Sequence, residues 1–221
     1  MEATRSPRIK ICCIASADEA RMAIAAGADA LGLVSEMPSG PGVIDEGLIA
    51  EIAARVPPPI ATFLLTSRVG VAEIVAQHRR CRTTTIQLCD RLARGTHAEL
   101  RAALPGIRIV QVIHVTGPEA VDEAITAAQR VDALLLDSGS RTTPVVELGG
   151  TGRVHDWRLS RRIREAVEVP VFLAGGLGPD NARAAIEEVG PFALDVCSGV
   201  RVGGRLDGAL LDAFVAAARP R

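Results

Sequence analysis

Short apolar runs rich in β-branched residues alternate along this chain with longer, alanine-rich segments whose apolar positions recur at helical spacing. A strand pattern followed by a helix pattern, repeated, is typical of βα units that form a parallel sheet. Eight units of about 27 residues fit into the 221 residues. We therefore predict an α/β protein in which residues 1–221 form one domain, a single (β/α)8 barrel. A miscount by one unit would instead leave an open, doubly wound sheet.

The pattern also predicts where each element begins and ends. The predicted strands are Arg8–Ile14, Ala28–Val34, Ile60–Leu65, Thr84–Leu88, Ile107–His114, Ala133–Asp137, Val169–Ala174 and Phe192–Cys197. The predicted helices are 17–26, 46–55, 69–80, 96–103, 118–129, 157–167, 180–188 and 207–218. Ser16, Asp45, Thr96 and Asp207 are good N-cap residue types for four of them. Two connections are long, Ser35–Ile44 and Ser138–Asp156, and long loops on this side of a barrel usually cover the substrate.

Composition narrows the class of partner. The chain has 25 basic and 26 acidic residues and a formal charge of -1, so it lacks the basic field that attracts nucleic acid or an anionic membrane. No apolar run reaches the roughly 20 residues that cross a bilayer, and the first ten residues lack a signal-peptide core. We expect a cytoplasmic protein with a small-molecule partner. Its five cysteines, an odd number, are expected to be free thiols.

Strand 1 carries the first candidate chemistry. Lys10 is the only lysine among the 25 basic residues, which hints at a site that needs an ammonium group. The pleat places Cys12 on the same face as Lys10, at the end of the strand where barrels bind substrate. A thiol beside a cation can accept a proton. The alternative is that Cys12 is a small buried hydrophobe and that the lysine is there by chance.

Strand 6 ends in the second candidate. The apolar run 133–136 leads directly into Asp137, and carboxylates at this rim are frequently catalytic. Asp137 would otherwise cap the loop that follows. The length of that loop favours function.

Two glycine-rich turns follow strands 7 and 8 and predict a phosphate site. Gly175 and Gly176 lie in the first turn, and Ser198 and Gly199 lie in the second. These two loops usually form the phosphate cup of such barrels, since glycine lets backbone amides approach the anion. A third cluster in loop 6, with Gly150, Thr151 and Gly152, folds over the same phosphate or acts as a lid hinge.

A metal site is a weaker alternative at the same rim. Cys12, Cys89, His114 and Cys197 all lie at predicted strand ends, where thiolate and imidazole groups could bind a metal. No pair of them has the local spacing of a zinc site, so no metal is predicted.

Several motifs together resemble one family. They are KIC at 10–12, AGADALGLV at 26–34, QL at 87–88, LLLD at 134–137, LGGTG at 148–152, HDW at 155–157, LAGGLGPDN at 173–181, PFALDV at 191–196 and DVCSGV at 195–200. In order and spacing they resemble phosphoribosylanthranilate isomerase, a barrel enzyme of tryptophan biosynthesis, over nearly the whole chain.

The resemblance implies an Amadori rearrangement of an N-linked ribose phosphate to a 1-amino-1-deoxyketose phosphate, without metal or organic cofactor. It implies that Asp137 is the general acid that opens the ribose ring. It implies that Cys12 is the base that removes the C2′ proton. Lys10 and Asp195 are expected to bind substrate or phosphate together with the glycine clusters. Whether the chain is a monomer or a homodimer stays open.

Departures from the family pattern fall on the substrate side. The family's strand-2 loop carries an arginine that holds the anthranilate carboxylate, whereas residues 39–43 here read SGPGV. Losing such a contact would cost on the order of 2–4 kcal/mol unless another cation, such as Arg68 or Arg141, replaced it. Cys13 replaces a family glycine, and Cys89 replaces a family histidine.

Two other functions fit the same residues. A phosphate-binding lyase or epimerase would use Lys10 to form an imine with a carbonyl substrate. A sugar-phosphate sensor would keep the phosphate cup without turnover.

Overall fold

The structure is a computed structural model that describes residues 6–139 and 155–219. In these residues eight parallel strands alternate with eight helices and close into a barrel, with β8 paired to β1. The predicted (β/α)8 architecture is confirmed. The strands are β1 Arg8–Ile11, β2 Ala30–Val34, β3 Ala61–Thr66, β4 Thr85–Leu88, β5 Arg108–His114, β6 Ala133–Asp137, β7 Val171–Leu173 and β8 Ala193–Val196. The helices are α1 Ala17–Ala25, α2 Glu46–Arg55, α3 Val71–Cys81, α4 His97–Ala103, α5 Ala120–Ala128, α6 Trp157–Ala166, α7 Ala182–Val189 and α8 Gly208–Ala218.

The pleat of the strands sorts side chains into two apolar layers. In β1, Ile9 and Ile11 pack outward in the large cluster between sheet and helices. Cys12, just after β1, belongs instead to the smaller cluster inside the barrel, with residues such as Phe63 and Phe172. Because side chains alternate along a strand, any polar residue on the inward face is confined in the barrel or opens at its mouth.

All four predicted N-caps are present. The side chains of Ser16, Asp45 and Asp207 each accept a hydrogen bond from the first turn of their helix. Thr96 forms a full capping box with Glu99. Each cap is worth about 1 kcal/mol of helix stability. Of the helices in the described ranges, none combines the length and the apolar content needed to cross a membrane.

The predicted boundaries were wrong at several element ends. Strand β1 stops at Ile11 rather than Ile14, since Cys13 has a left-handed backbone with φ 61° that ends the extended chain. Strand β7 contains three residues instead of six. A short 3-10 turn, Ser198–Val200, and a two-stranded hairpin, β9 Arg201–Val202 with β10 Arg205–Leu206, come between β8 and α8 and were not predicted.

Candidate active site

An open cavity of about 690 Å³ lies at the C-terminal mouth of the barrel. Its walls come from the ends of the strands and from the loop after β2. Six of the residues predicted to form the site line this one cavity, namely Cys12, Asp137, Gly175, Gly176, Asp195 and Ser198. The tertiary structure thus brings together residues that are up to 186 positions apart in the sequence.

A buried charge pair lies directly under the cavity. Lys10 is fully buried, and its Nζ donates a hydrogen bond to Asp195 Oδ2 at 2.8 Å. The same Nζ lies 3.6 Å from Cys12 Sγ and 5.2 Å from the centre of the Phe63 ring. Burial alone lowers the pKa of Lys10, but the negative charge of Asp195, with help from Cys12, raises it above its usual value. Lys10 therefore stays protonated and faces both Cys12 and Asp195.

Asp137 is the second ionisable group at the mouth. Burial raises its pKa to about 6, and the nearby negative charge of Asp195 acts in the same direction. The Ser138 amide, which donates to Asp137 Oδ1 at 2.7 Å, opposes this shift. A carboxyl group with a pKa near 6 stays protonated in roughly a tenth of the molecules at pH 7, far more than an ordinary aspartate, and so can act as a general acid.

Two polar atoms in the cavity wall have no partner in the part of the chain that the structure describes. They are Asp195 Oδ1 and Gln87 Oε1, on residues that are only 7% and 3% exposed. A buried acceptor without a donor costs about 1–3 kcal/mol, so both favour a ligand that donates hydrogen bonds. No role for Gln87 was predicted from the sequence. Its signal was a long polar side chain near the C-terminal end of strand β4.

The turns after β7 and β8 approach each other closely enough to exclude side chains. Gly175 and Gly176 have φ of 86° and 64°, which glycine adopts without strain. A Cβ added to Gly199 would lie 2.0 Å from the carbonyl oxygen of Leu177. Asn181 fixes the first turn, since its side chain accepts from the Gly178 amide and donates to the Gly176 carbonyl, both at 2.9 Å. The two turns form a surface of backbone atoms.

Several other residues that were predicted to form the site, or to replace its arginine, do not line this cavity or lie outside the described residues. Lys10 does not line the cavity but lies beneath Cys12, so it is not placed for direct contact with substrate. Gly199 lines an adjoining depression together with Gly176 and Ser198. Arg68 is also absent from the cavity wall, and its guanidinium pairs with Glu46 at 3.6 Å. Arg141, Gly150, Thr151 and Gly152 lie outside the described residues.

The alternative of a metal site finds no support among the described residues. Within 6–139 and 155–219, no three His, Cys, Asp or Glu side chains are grouped to hold a metal ion. Burial raises the pKa of Cys89 to about 12, so this thiol stays protonated. His114 Nε2 lies 3.2 Å from the carbonyl oxygen of Cys89.

The residue after Cys12 is held in an unusual conformation by a partly buried ion pair. Cys13 has φ 61°, a region that costs a non-glycine residue about 1–2 kcal/mol. Arg201 donates to the carbonyl oxygens of Cys12 at 3.2 Å and Cys13 at 2.6 Å, and it also pairs with Glu19 at 3.0 Å. The β9–β10 hairpin, which the sequence pattern did not predict, therefore supplies Arg201, the group that fixes the backbone beside the candidate base.

The loop after β2 reaches the cavity, as its length predicted. Met37, Ser39, Gly40 and Pro41 line the wall. Gly42 packs against Cys13 so tightly that an added Cβ would lie 2.5 Å from the Cys13 Cβ. No arginine or lysine is among the described residues of the wall.

Comparison with known proteins agrees with this geometry. A family model of N-(5′-phosphoribosyl)anthranilate (PRA) isomerase matches residues 9–217. The N-(5′-phosphoribosyl)anthranilate isomerase of Haloarcula marismortui is 37% identical over 212 residues, which cover 94% of each chain. The crystal structure of the Thermotoga maritima enzyme superposes with a TM-score of 0.79 at 28% identity, covering 96% of this chain and 98% of that one. The structure of a PRA isomerase in complex with reduced 1-(o-carboxyphenylamino)-1-deoxyribulose 5-phosphate gives a TM-score of 0.77 at 26% identity, with the same coverage.

The barrel, the cavity residues and these matches over nearly the full length point to one assignment. The chain belongs to the N-(5′-phosphoribosyl)anthranilate isomerase family.

Proposed function

We propose that this protein converts N-(5′-phosphoribosyl)anthranilate into 1-(o-carboxyphenylamino)-1-deoxyribulose 5-phosphate, with Asp137 as the acid and Cys12 as the base. One observation carries the assignment of roles. A thiol beside a buried ammonium and a carboxyl group with a pKa of about 6 line the same cavity, next to a surface of backbone atoms suited to a phosphate.

Asp137 starts the reaction. Its carboxyl proton passes to the ribose ring oxygen, the bond from C1′ to that oxygen breaks, and the nitrogen lone pair forms the C=N bond of a protonated Schiff base. Asp137 is left as a carboxylate. Its raised pKa makes it a better proton donor near neutral pH than an ordinary aspartate, which would already be ionised.

Cys12 continues it. The sulfur takes the proton from C2′, the electrons of that C–H bond form the C1′=C2′ bond, and the π electrons of the C=N bond return to the nitrogen, which gives a neutral enolamine. The enolamine then gains a proton at C1′ and loses one from the C2′ oxygen, which gives the ketone. Lys10 serves as a positioning residue in this step, because its ammonium 3.6 Å away balances the negative charge of a Cys12 thiolate.

The remaining polar groups hold the substrate. The amides of Gly175, Gly176 and Ser198 bind the phosphate, since a turn of backbone atoms offers several N–H donors to one anion. Asp195 Oδ1 and Gln87 Oε1 accept hydrogen bonds from ribose hydroxyl groups, which satisfies both buried acceptors.

The imine-forming alternative conflicts with the state of Lys10. Attack on a carbonyl carbon requires a neutral, accessible amine. Lys10 is fully buried, and the ion pair with Asp195 holds its pKa above the usual value. Borohydride treatment in the presence of substrate should therefore leave Lys10 unmodified.

The test is an assay of turnover with variants of the proposed base. Cys12→Ser should reduce kcat at least ~10²-fold and leave KM nearly unchanged, because a proton-transfer group acts mainly in the transition state. Cys81→Ser, a change in helix α3 outside the cavity wall, is the matched control and should retain activity. Near-normal turnover by Cys12→Ser would remove Cys12 from the mechanism, and absence of turnover in the unmodified protein would favour a sugar-phosphate sensor.

Recognition of the anthranilate carboxylate can be tested separately. The described wall contains no cation, and Pro41 lies on it at a position where an arginine side chain can reach the cavity. Pro41→Arg should lower KM about tenfold if the carboxylate is otherwise unpaired. Gly42→Arg is not a useful equivalent, because φ is 77° there and the new Cβ would clash with Cys13.

A further inference from the structure

Two cysteines without a role in the proposed reaction face each other at the mouth of the cavity. Cys13 follows Cys12 at the end of β1, and Cys197 follows β8, the strand paired with β1. Both line the cavity wall, and their Sγ atoms lie 2.6 Å apart. We infer that Cys13 and Cys197 form a dithiol that closes to a disulfide by exchange with a low-molecular-weight disulfide, leaving Cys12 as a free thiol.

The geometry requires little movement. A disulfide joins its sulfur atoms at about 2.05 Å, so these two need to approach by roughly half an ångström. The neighbouring strands that carry them are held by the barrel ladder, including the bond from the Cys12 amide to the Val196 carbonyl at 2.8 Å. Strand pairing therefore brings the two thiols together before any oxidant arrives.

The two sulfur atoms differ in reactivity. Cys197 is partly exposed, whereas the other four cysteines are buried. Hydrogen bonding with Cys13 lowers the pKa of Cys197, and the positive charge of Arg201 adds to this effect. Hydrogen bonds with Cys12 and with Cys197 raise the pKa of Cys13. Cys197 is thus the thiolate that attacks first, because the thiolate is the nucleophile in exchange and access limits the rate.

The exchange takes place in two balanced steps. The Cys197 thiolate attacks one sulfur of a disulfide RSSR, which forms Cys197–S–S–R and releases RS⁻. Cys13 then loses its proton and attacks Cys197 Sγ, which forms the Cys13–Cys197 bond and releases the second RS⁻. The two protein thiols are oxidised and one RSSR is reduced to two RSH, so no other oxidant is needed.

Cys12 is spared because of its position. Its Sγ is only 3.6 Å from the buried Lys10 ammonium, and the residue is 6% exposed. A bulky disulfide reagent reaches Cys197 first, and Cys13, whose sulfur lies 2.6 Å away, resolves the mixed disulfide. The pair therefore diverts thiol oxidants from the proposed catalytic base.

To test this, the full chain is incubated with oxidised glutathione, and the remaining thiols are then blocked with N-ethylmaleimide. The peptides are mapped by mass spectrometry. The expected result is a peptide pair joined through Cys13 and Cys197, with two hydrogens lost and Cys12 carrying the blocking group. Dithiothreitol should reverse the bond. The readout is covalent mass and does not depend on turnover.

Two variants test whether the cross-link depends on Cys13 in particular. Cys13→Gly relieves the left-handed strain and so should fold. In this variant we expect a stable glutathione adduct on Cys197 and no cross-link. Cys81→Ala should leave the cross-link unchanged. A cross-link that includes Cys12, or unmodified Cys13 and Cys197 under conditions that modify an exposed model thiol, would overturn the inference.

Discussion

Strand β6 is flanked by two aspartates that the fold treats in opposite ways. Asp132, just before the strand, accepts hydrogen bonds from the Ile109 amide at 2.8 Å and from Arg101 at 2.9 Å. Burial alone raises the pKa of Asp132, but these donors lower it below the usual value. Asp137, the last residue of the strand, has no cation within bonding distance among the described residues, and its pKa rises to about 6. The pKa values of the carboxyl groups at the two ends of β6 are thus shifted in opposite directions.

An aspartate that accepts hydrogen bonds from both a backbone amide and an arginine occurs twice at the N-terminal end of the barrel. Asp29, before β2, accepts from the Ile9 amide at 2.8 Å and from Arg8 at 3.1 Å, as Asp132 does from the amide and guanidinium of β5. Arg219 adds a further hydrogen bond to Asp29. Carboxylates there are neutralised by arginine and backbone donors. At the opposite mouth Asp195 Oδ1 and Gln87 Oε1 have no hydrogen-bond partner among the described residues, which costs stability and favours binding of a hydrogen-bond donor.

The largest effect is expected when the carboxylate at each end of β6 is removed in turn. Asp137→Asn should reduce turnover at least ~10²-fold, since an amide cannot donate the proton that opens the ring. Asp132→Asn, the matched change just before the same strand and roughly 16 Å from Asp137, should leave kcat and KM nearly unchanged. Steady-state kinetics on both variants checks the result, and equal losses would refute the division of roles.

The pH dependence of the reaction tests the raised pKa of Asp137. A general acid must be protonated in the free enzyme, so kcat/KM should fall about tenfold per pH unit above a pKa of about 6. The profile of Asp132→Asn should show the same midpoint. A flat profile between pH 6 and 8 would contradict the role of Asp137 as the acid.

Replacing Asp137 should raise stability at high pH, although it lowers turnover. The unfolded chain loses this proton near pH 3.9, whereas the folded chain keeps it to about pH 6, so stability falls as the pH rises through this window. The loss is on the order of 2–3 kcal/mol and is complete above pH 7. Asp137→Asn should remove that loss and unfold at a higher denaturant concentration at pH 8. Chemical denaturation at pH 4 and pH 8 measures this, and a variant less stable than the wild type at pH 8 would disprove it.

The smallest effect is expected at Asp132. Its lowered pKa contributes stability that is present above about pH 4 and disappears as the pH falls below that value. Because the side chain is 21% exposed and partly screened, Asp132→Asn should cost only about 1 kcal/mol at neutral pH. Urea denaturation at pH 7 is the measurement. If the substitution costs as much stability as breaking a buried ion pair usually does, this end of the barrel is less solvated than the exposure of Asp132 indicates.

Particular residues show how far the sequence alone could predict the site. Asp137 stood out because it ends an apolar strand, Cys12 because it shares a strand face with the only lysine, Lys10, and glycine-rich turns after strands 7 and 8 indicated a phosphate cup. Gln87 could not be assigned, because a single glutamine in a strand does not reveal whether its oxygen finds a partner. Lys10 was expected to contact the substrate, yet only the structure shows that Asp195 and Cys12 hold it below the cavity floor.

The sequence by itself determined the eight βα units, the N-caps and the inward face of each strand, because periodicity and capping are local properties of a few neighbouring residues. Only the tertiary structure decided which polar side chains are paired with other groups of the protein and which remain able to bind a ligand. The charge state of Asp137, the ion pair under Cys12 and the contact between Cys13 and Cys197 all depend on residues from distant strands. Barrel closure sets those distances, and burial sets the dielectric in which the charges interact.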